Sequence, residues 1–169
     1  DLLQIMEILM TTPKPTIDSR AKAQKAHYAH LPLVYACSGC SSAAQMTNRI
    51  AVRLDREQRA EMSCIAGVGG RVKALVRTAK SARKILVLDG CPLHCASKTL
   101  EQFDIAISAY LDLSTLGVKK HYHQDASEAE YQQVWQQSII PILDGLAVLD
   151  GLAVLDGLAV LDGLAVLDE

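Results

Sequence analysis

Hydrophobic positions along this chain switch repeatedly between two periods. Leu33-Val34-Tyr35-Ala36-Cys37 is a short apolar run that stops at Ser38-Gly39, the mark of a buried strand. Residues 42–56 take helical spacing, with Ala43, Met46, Ile50 and Leu54 on one face and Arg49, Arg53 and Arg56 on its solvated side. Ala60 to Ala66 is a second short run, closed by Gly67-Val68-Gly69-Gly70, which reads as a tight turn. Val72, Leu75, Val76 and Ala79 then mark another amphipathic helix. Lys84 to Leu88 is the clearest strand, ended by Asp89-Gly90. Pro92 suits the first turn of a third helix, packed through Ala96, Leu100 and Phe103. Ile105 to Leu111 reads as a fourth strand. Ser127 and Glu130 form a capping-box signature for a last helix, with Tyr131, Val134, Trp135 and Ile139 inward.

This alternation predicts an α/β fold: a small parallel sheet of about four strands with helices on both faces. Ligands of such sheets bind outside the carboxyl ends of the strands.

The ends of the chain differ from this body. Residues 1–20 read as an arm and linker, in which Leu2, Met6, Leu9 and Met10 share a helical face before Pro13-Lys14-Pro15 breaks it. No basic region and no small-residue cleavage site precede the body, so a secretory leader is not expected. The domain proper is expected over 21–141. Residues 142–169 are a tail in which LDGLAV repeats four times from Leu143. Asp-Gly turns between short strands, or a loose hexapeptide coil, would each fit the unit. Four units are too few to bury a core, so the tail is read as a repeat expansion without chemistry of its own.

Composition changes the picture once the tail is set apart. The 169 residues carry a net charge of −2. Residues 143–169 hold six acids and no base, which leaves 17 basic against 13 acidic residues in the body, a net of +4. Aromatics are 4%. Neither bulk charge nor aromatic stacking platforms point to nucleic acid. No apolar run reaches the roughly 18 residues of a membrane span. A cytoplasmic protein is expected, with a metal ion as partner and a protein partner left open.

Candidate chemistry lies in five cysteines: Cys37, Cys40, Cys64, Cys91 and Cys95. Cys37 ends the first predicted strand, Cys64 falls near the end of the second and Cys91 follows the third, while Cys40 and Cys95 lie a few residues on, near helix starts. All five are thus carried to one edge of the sheet. Helix N-termini lower thiol pKa values. Sulfur ligands of one tetrahedral zinc lie just under about 4 Å apart, and neighbouring strands lie about 4.8 Å apart. Adjacent strand ends therefore suit one ion, whereas strands two positions apart do not. The metal reading predicts strand order 2-1-3-4, with Cys37 between Cys64 and Cys91. An iron–sulfur cluster would also accept four thiolates. Cys37-Ser38-Gly39-Cys40 is a Cys-x-x-Cys at a strand-to-helix junction, so a thiol-redox or sulfur-transfer enzyme using Cys37 and Cys40 is the alternative. An odd cysteine count argues against a disulfide framework.

Three ordered motifs carry a resemblance. Cys37-Ser38-Gly39-Cys40-Ser41, Met62-Ser63-Cys64-Ile65-Ala66-Gly67-Val68-Gly69-Gly70 and Leu88-Asp89-Gly90-Cys91-Pro92-Leu93-His94-Cys95-Ala96 resemble the DGC-domain family of zinc-binding proteins. The resemblance extends through Leu100-Glu101 and Leu116-Gly117-Val118-Lys119-Lys120, over about residues 32–140. It implies a zinc-binding domain with four chelating cysteines and no established activity. The matching positions are Cys37, Cys64, Cys91 and Cys95, and the position of Cys40 is often another small residue.

Other polar residues have plainer readings beside their functional ones. Asp89 either orients a ligand or caps the following helix. His94, between Cys91 and Cys95, is either a fifth ligand or, on a helix whose face the two cysteines share, points away from both. Gly67 to Gly70 lack the phosphate-loop and dinucleotide patterns, and Arg71 reads as a solvated arginine. His27 with His30, and His121 with His123, are spaced for metal but lack a third partner.

Overall fold

The first fully apolar run forms the centre of the molecule. In the computed structural model, which describes residues 17–147, Leu33–Ala36 is strand β1 and every residue in it is buried. Before it, helix α1 (Ile17–Tyr28) belongs to a separate unit that ends at His30. The helical face expected over residues 2–10 and the last three repeat units lie outside the described residues. After β1 come helix α2 (Ser42–Arg56), strand β2 (Glu61–Met62), and helices α3 (Ile65–Gly69) and α4 (Lys73–Ala79). Strand β3 (Ile85–Asp89), helix α5 (Cys95–Glu101), strand β4 (Ala109–Asp112) and a 3-10 turn (Leu113–Leu116) follow. Helix α6 (Glu128–Val134) runs into a π-helical segment (Trp135–Ile139), and helical backbone continues over 140–147.

The sheet order is β2-β1-β3-β4, all parallel, as the cysteine spacing requires. Successive side chains of a strand point to opposite faces, and β1 shows it. Val34 and Ala36 join Leu86 and Leu88 in a layer with Met46, Ile50, Leu54 and Trp135. Leu33 and Tyr35 join Val87 in the opposite layer with Val68, Ala79 and Leu100. Helices therefore cover both faces. Each fully buried aliphatic side chain contributes on the order of 2 kcal/mol to holding them there.

Several elements differ from the sequence expectation. Strand β2 shrinks to two residues, because Cys64 already caps α3. Gly67 and Gly69 lie within that helix, so the expected tight turn is a helical one. Helix α5 starts at Cys95 rather than near Pro92. Strand β4 begins at Ala109: Ile105 is 8% exposed and packs in the second layer instead, and Ser108 N–H leads into the sheet by donating to Ile85 at 2.9 Å. The first repeat unit is helical through Ala147, and its Leu143 and Leu146 are buried in the first layer. Among the described residues no helix is long and apolar enough to cross a membrane.

Candidate functional site

Three adjacent strands deliver three cysteines to one edge. Cys37 extends β1 by one residue, its N–H donating to the Leu88 carbonyl at 2.9 Å. Its side chain is buried, and Sγ accepts the Gly90 N–H at 3.2 Å and lies 3.4 Å from Thr47 Oγ1. Thr47 is fully buried with its hydroxyl 2.9 Å from the Cys37 carbonyl, so α2 fixes this thiol from behind. Burial pushes the Cys37 thiol above its ordinary pKa, against the hydrogen bonds from Thr47 and Gly90.

Cys64 lies beyond β2, after Ser63, whose N–H donates to Val34 at 3.1 Å. It is the N-cap of α3, and its Sγ accepts the Gly67 N–H at 3.3 Å. A Cβ on Gly67 would run into the Leu75 side chain, so glycine lets the helix close against α4. Cys91 follows Gly90 and is half-buried, whereas Cys40, Cys64 and Cys95 are exposed. All five thiols are free. Gly90 is the hinge of this arrangement. A Cβ there would sit 2.7 Å from the backbone of Ala43, so only glycine lets β3 end against the start of α2.

Acids and a histidine complete the edge. Asp89 is 1% exposed, and its two oxygens accept the Ala96 N–H at 2.9 Å and the Ser97 N–H at 3.1 Å. Of its two readings, the helix cap is the one the geometry realises. His94 is not on the helix: it takes φ of 55° just before α5. From there its Nε2 lies 3.0 Å from Asp112 Oδ2, and its ring meets Tyr110 edge-on at 5.9 Å. Desolvation, then the charge of Asp89, pushes Tyr110 up to about 12. Lys120 is held above its ordinary pKa chiefly by its hydrogen bond to Tyr122, with the Cys91 and Cys40 thiols acting in the same direction. Its segment is seated by Ser42, whose N–H donates to the His121 carbonyl at 2.8 Å.

Thr47, Asp112, Tyr110 and Lys120 are additions that sequence reasoning missed. Asp112 had a signal: it ends β4 in register with Asp89, so the strand-end logic applied to the cysteines reaches it too. The histidine pairs do not gather partners. His27 and His30 stay at the end of the separate α1 unit. His121 and His123 flank an isolated bridge between Ser41 and Tyr122, and φ of 61° at His123 breaks the expected strand face.

The donor set fits a thiophilic metal in kind, since sulfur ligands are what zinc selects. The backbone brings the turns together without closing the side chains around a point. Among the described residues no three Cys, His, Asp or Glu side chains are gathered as a metal site.

Comparison with known proteins agrees with the motifs. The DGC domain family model matches residues 33–138. A protein of Pseudomonas aeruginosa, described as "Anaerobic and virulence modulator AnvM", is 53% identical over 105 residues, covering 62% of this chain and 80% of that protein. No solved structure matches.

Proposed function

The chain belongs to the DGC domain family, and from that premise we propose that it binds zinc at the carboxyl edge of its sheet in a structural, regulatory or carrier role. Cys37, Cys64, Cys91 and Cys95 would hold the ion, with Cys40 as a nearby thiol for ligand exchange. The observation that carries this reading is the strand order, which sets the Cys37 strand between those leading to Cys64 and Cys91. The Gly90 and Gly67 N–H groups already point at the Cys37 and Cys64 sulfurs and fix their positions at the edge. Bound zinc would supply a fixed dication that ties three strand ends together and reverses the effect of burial on Cys37. The relative's description as a modulator favours regulation over catalysis. In this reading the protein works in the cytoplasm with the metal ion as its partner, and neither nucleic acid nor membrane is its target.

Elemental analysis of anaerobically purified protein tests this. Wild type and Cys40→Ser should carry stoichiometric zinc, and Ser at Cys37, Cys64, Cys91 or Cys95 should lose it. A metal-free wild type overturns the proposal, as does a brown protein carrying iron and sulfide. Unchanged zinc in Cys40→Ser together with lost disulfide reductase activity would move the main function to the thiol-redox reading.

A further inference from the structure

A second feature lies along helix α4. Surface arginines of this protein are paired with carboxylates: Arg49 with Glu128, Arg53 with Glu57, Arg56 with Asp55, Arg59 with Asp144 and Arg83 with Glu61. Among the arginines whose side chains are described, Arg71 and Arg77 lack such a partner, and both line one groove with Lys73, Val76 and Phe103. The groove is open and encloses about 530 Å3. Its lining is apolar with a few charged groups, the composition of small-ligand sites.

Two features of the groove run against local stability. Lys73 and Arg77 are like charges one helical turn apart on α4, on the face that also carries Val76. Arg71 holds φ of 60°, a left-handed conformation that glycine adopts without strain, directly after Gly70 at −76°. Its guanidinium stands 5.9 Å from the centre of the Phe103 ring. Three uncompensated cations around an apolar floor call for a ligand with both features. We propose that this groove binds an organic anion, its carboxylate, sulfonate or phosphate paired with Arg71 and Arg77 and its apolar body laid on Val76 and Phe103. Arginine forks suit such oxyanions.

Fluorescence titration of the full chain with anilinonaphthalene sulfonate tests the proposal. Saturable binding at one site per chain is expected, weakened about tenfold or more by Arg77→Gln and by Arg71→Gly, by high salt and by Phe103→Leu. Arg71→Gly relieves the backbone strain, so its loss of binding cannot be laid to unfolding. Arg56→Gln, at a paired surface arginine, should bind as wild type does. Decanoate and naphthoate should displace the probe. Equal binding of neutral phenylnaphthylamine, or unchanged affinity in all three groove variants, overturns the proposal. Displacement by an acidic Leu-Asp peptide but by neither small acid overturns it in favour of a protein ligand.

Discussion

The backbone N–H of Gly90 points at the sulfur of Cys37 across 3.2 Å, so the end of β3 is hydrogen-bonded to the side chain that ends β1. This contact exists because Gly90 has no Cβ to strike Ala43. Its backbone is not in the left-handed region, so the demand for glycine is one of space. Gly90→Ala is expected to cost ~1–3 kcal/mol by forcing β3 and α2 apart. Urea unfolding should show the loss, and the same variant should hold less zinc. Wild-type stability would mean that the helix start yields freely.

Cys37 should be the last cysteine to react. It is buried, and its thiol is held above its ordinary pKa mainly by desolvation. Cys40, Cys64 and Cys95 are exposed. Iodoacetamide labelling of metal-free protein, read by mass spectrometry, should modify those three before Cys37. The stability gained by burying a neutral thiol is fully present below the unfolded pKa near 9.0 and lost as pH rises through the higher folded value. Metal-free Cys37→Ala should therefore lose less stability than wild type on going to strongly alkaline pH.

Asp89 holds α5 in place through two backbone N–H groups at a site closed to water. Asp89→Ala leaves both donors buried and unpaired, at an expected cost of ~2–4 kcal/mol. Asp89→Asn keeps one good acceptor and should recover about half of that loss. Thermal unfolding of the two variants decides it, and equal losses would show that charge rather than acceptor count matters.

Much of this architecture is legible in the sequence because local and tertiary preferences agree. The runs at β1 and β3 are apolar throughout and have no alternative to a two-sided burial. The Ser127 cap forms as expected, its hydroxyl accepting the Glu130 N–H at 3.2 Å. Where they disagree, tertiary packing wins. Glycines at 67 and 69 read as a turn, yet Leu75 needs the space that a side chain at 67 would fill. Ile105 reads as strand, yet its N–H follows the Leu100 carbonyl off α5 and its side chain fills the layer below. His94 reads as helical because Pro92 suits a first turn, yet its left-handed backbone precedes α5, whose first N–H groups are taken by Asp89.

The repeat offers a sharper case. Leu143 and Leu146 pack with Trp135 and Ile139, and the Leu146 carbonyl accepts from Lys84 Nζ at 3.3 Å. The first LDGLA thus works as the end of the last helix, whatever its copies do. A chain ending at residue 147 should unfold like the full chain. One ending at 141 should lose several kcal/mol, since each buried Leu removed costs ~2–5 kcal/mol. Equal stability of the two truncations would place Leu143 and Leu146 outside the cooperative core.

Acid should find the other end of the edge first. Burial works to raise the Asp112 carboxyl, but the Ser114 hydroxyl at 2.7 Å, the Ser114 N–H at 2.9 Å and His94 outweigh it and hold the group below the usual carboxylate range. A carboxyl with a depressed folded pKa contributes stability that is in place above its unfolded value near 3.8 and lost as pH falls through the folded one. Asp112→Asn should therefore cost ~1–3 kcal/mol at neutral pH, where three interactions to a charged acceptor are weakened. The gap between variant and wild type should begin to narrow as pH drops below about 4, where the unfolded chain takes up the proton, and close below the lowered folded value, where both carry an uncharged group. His94→Gln should reproduce only the part of the loss that the ring supplies. Urea unfolding across pH measures all three proteins, and a gap that stays constant into acid would show that Asp112 serves the fold by shape and not by charge.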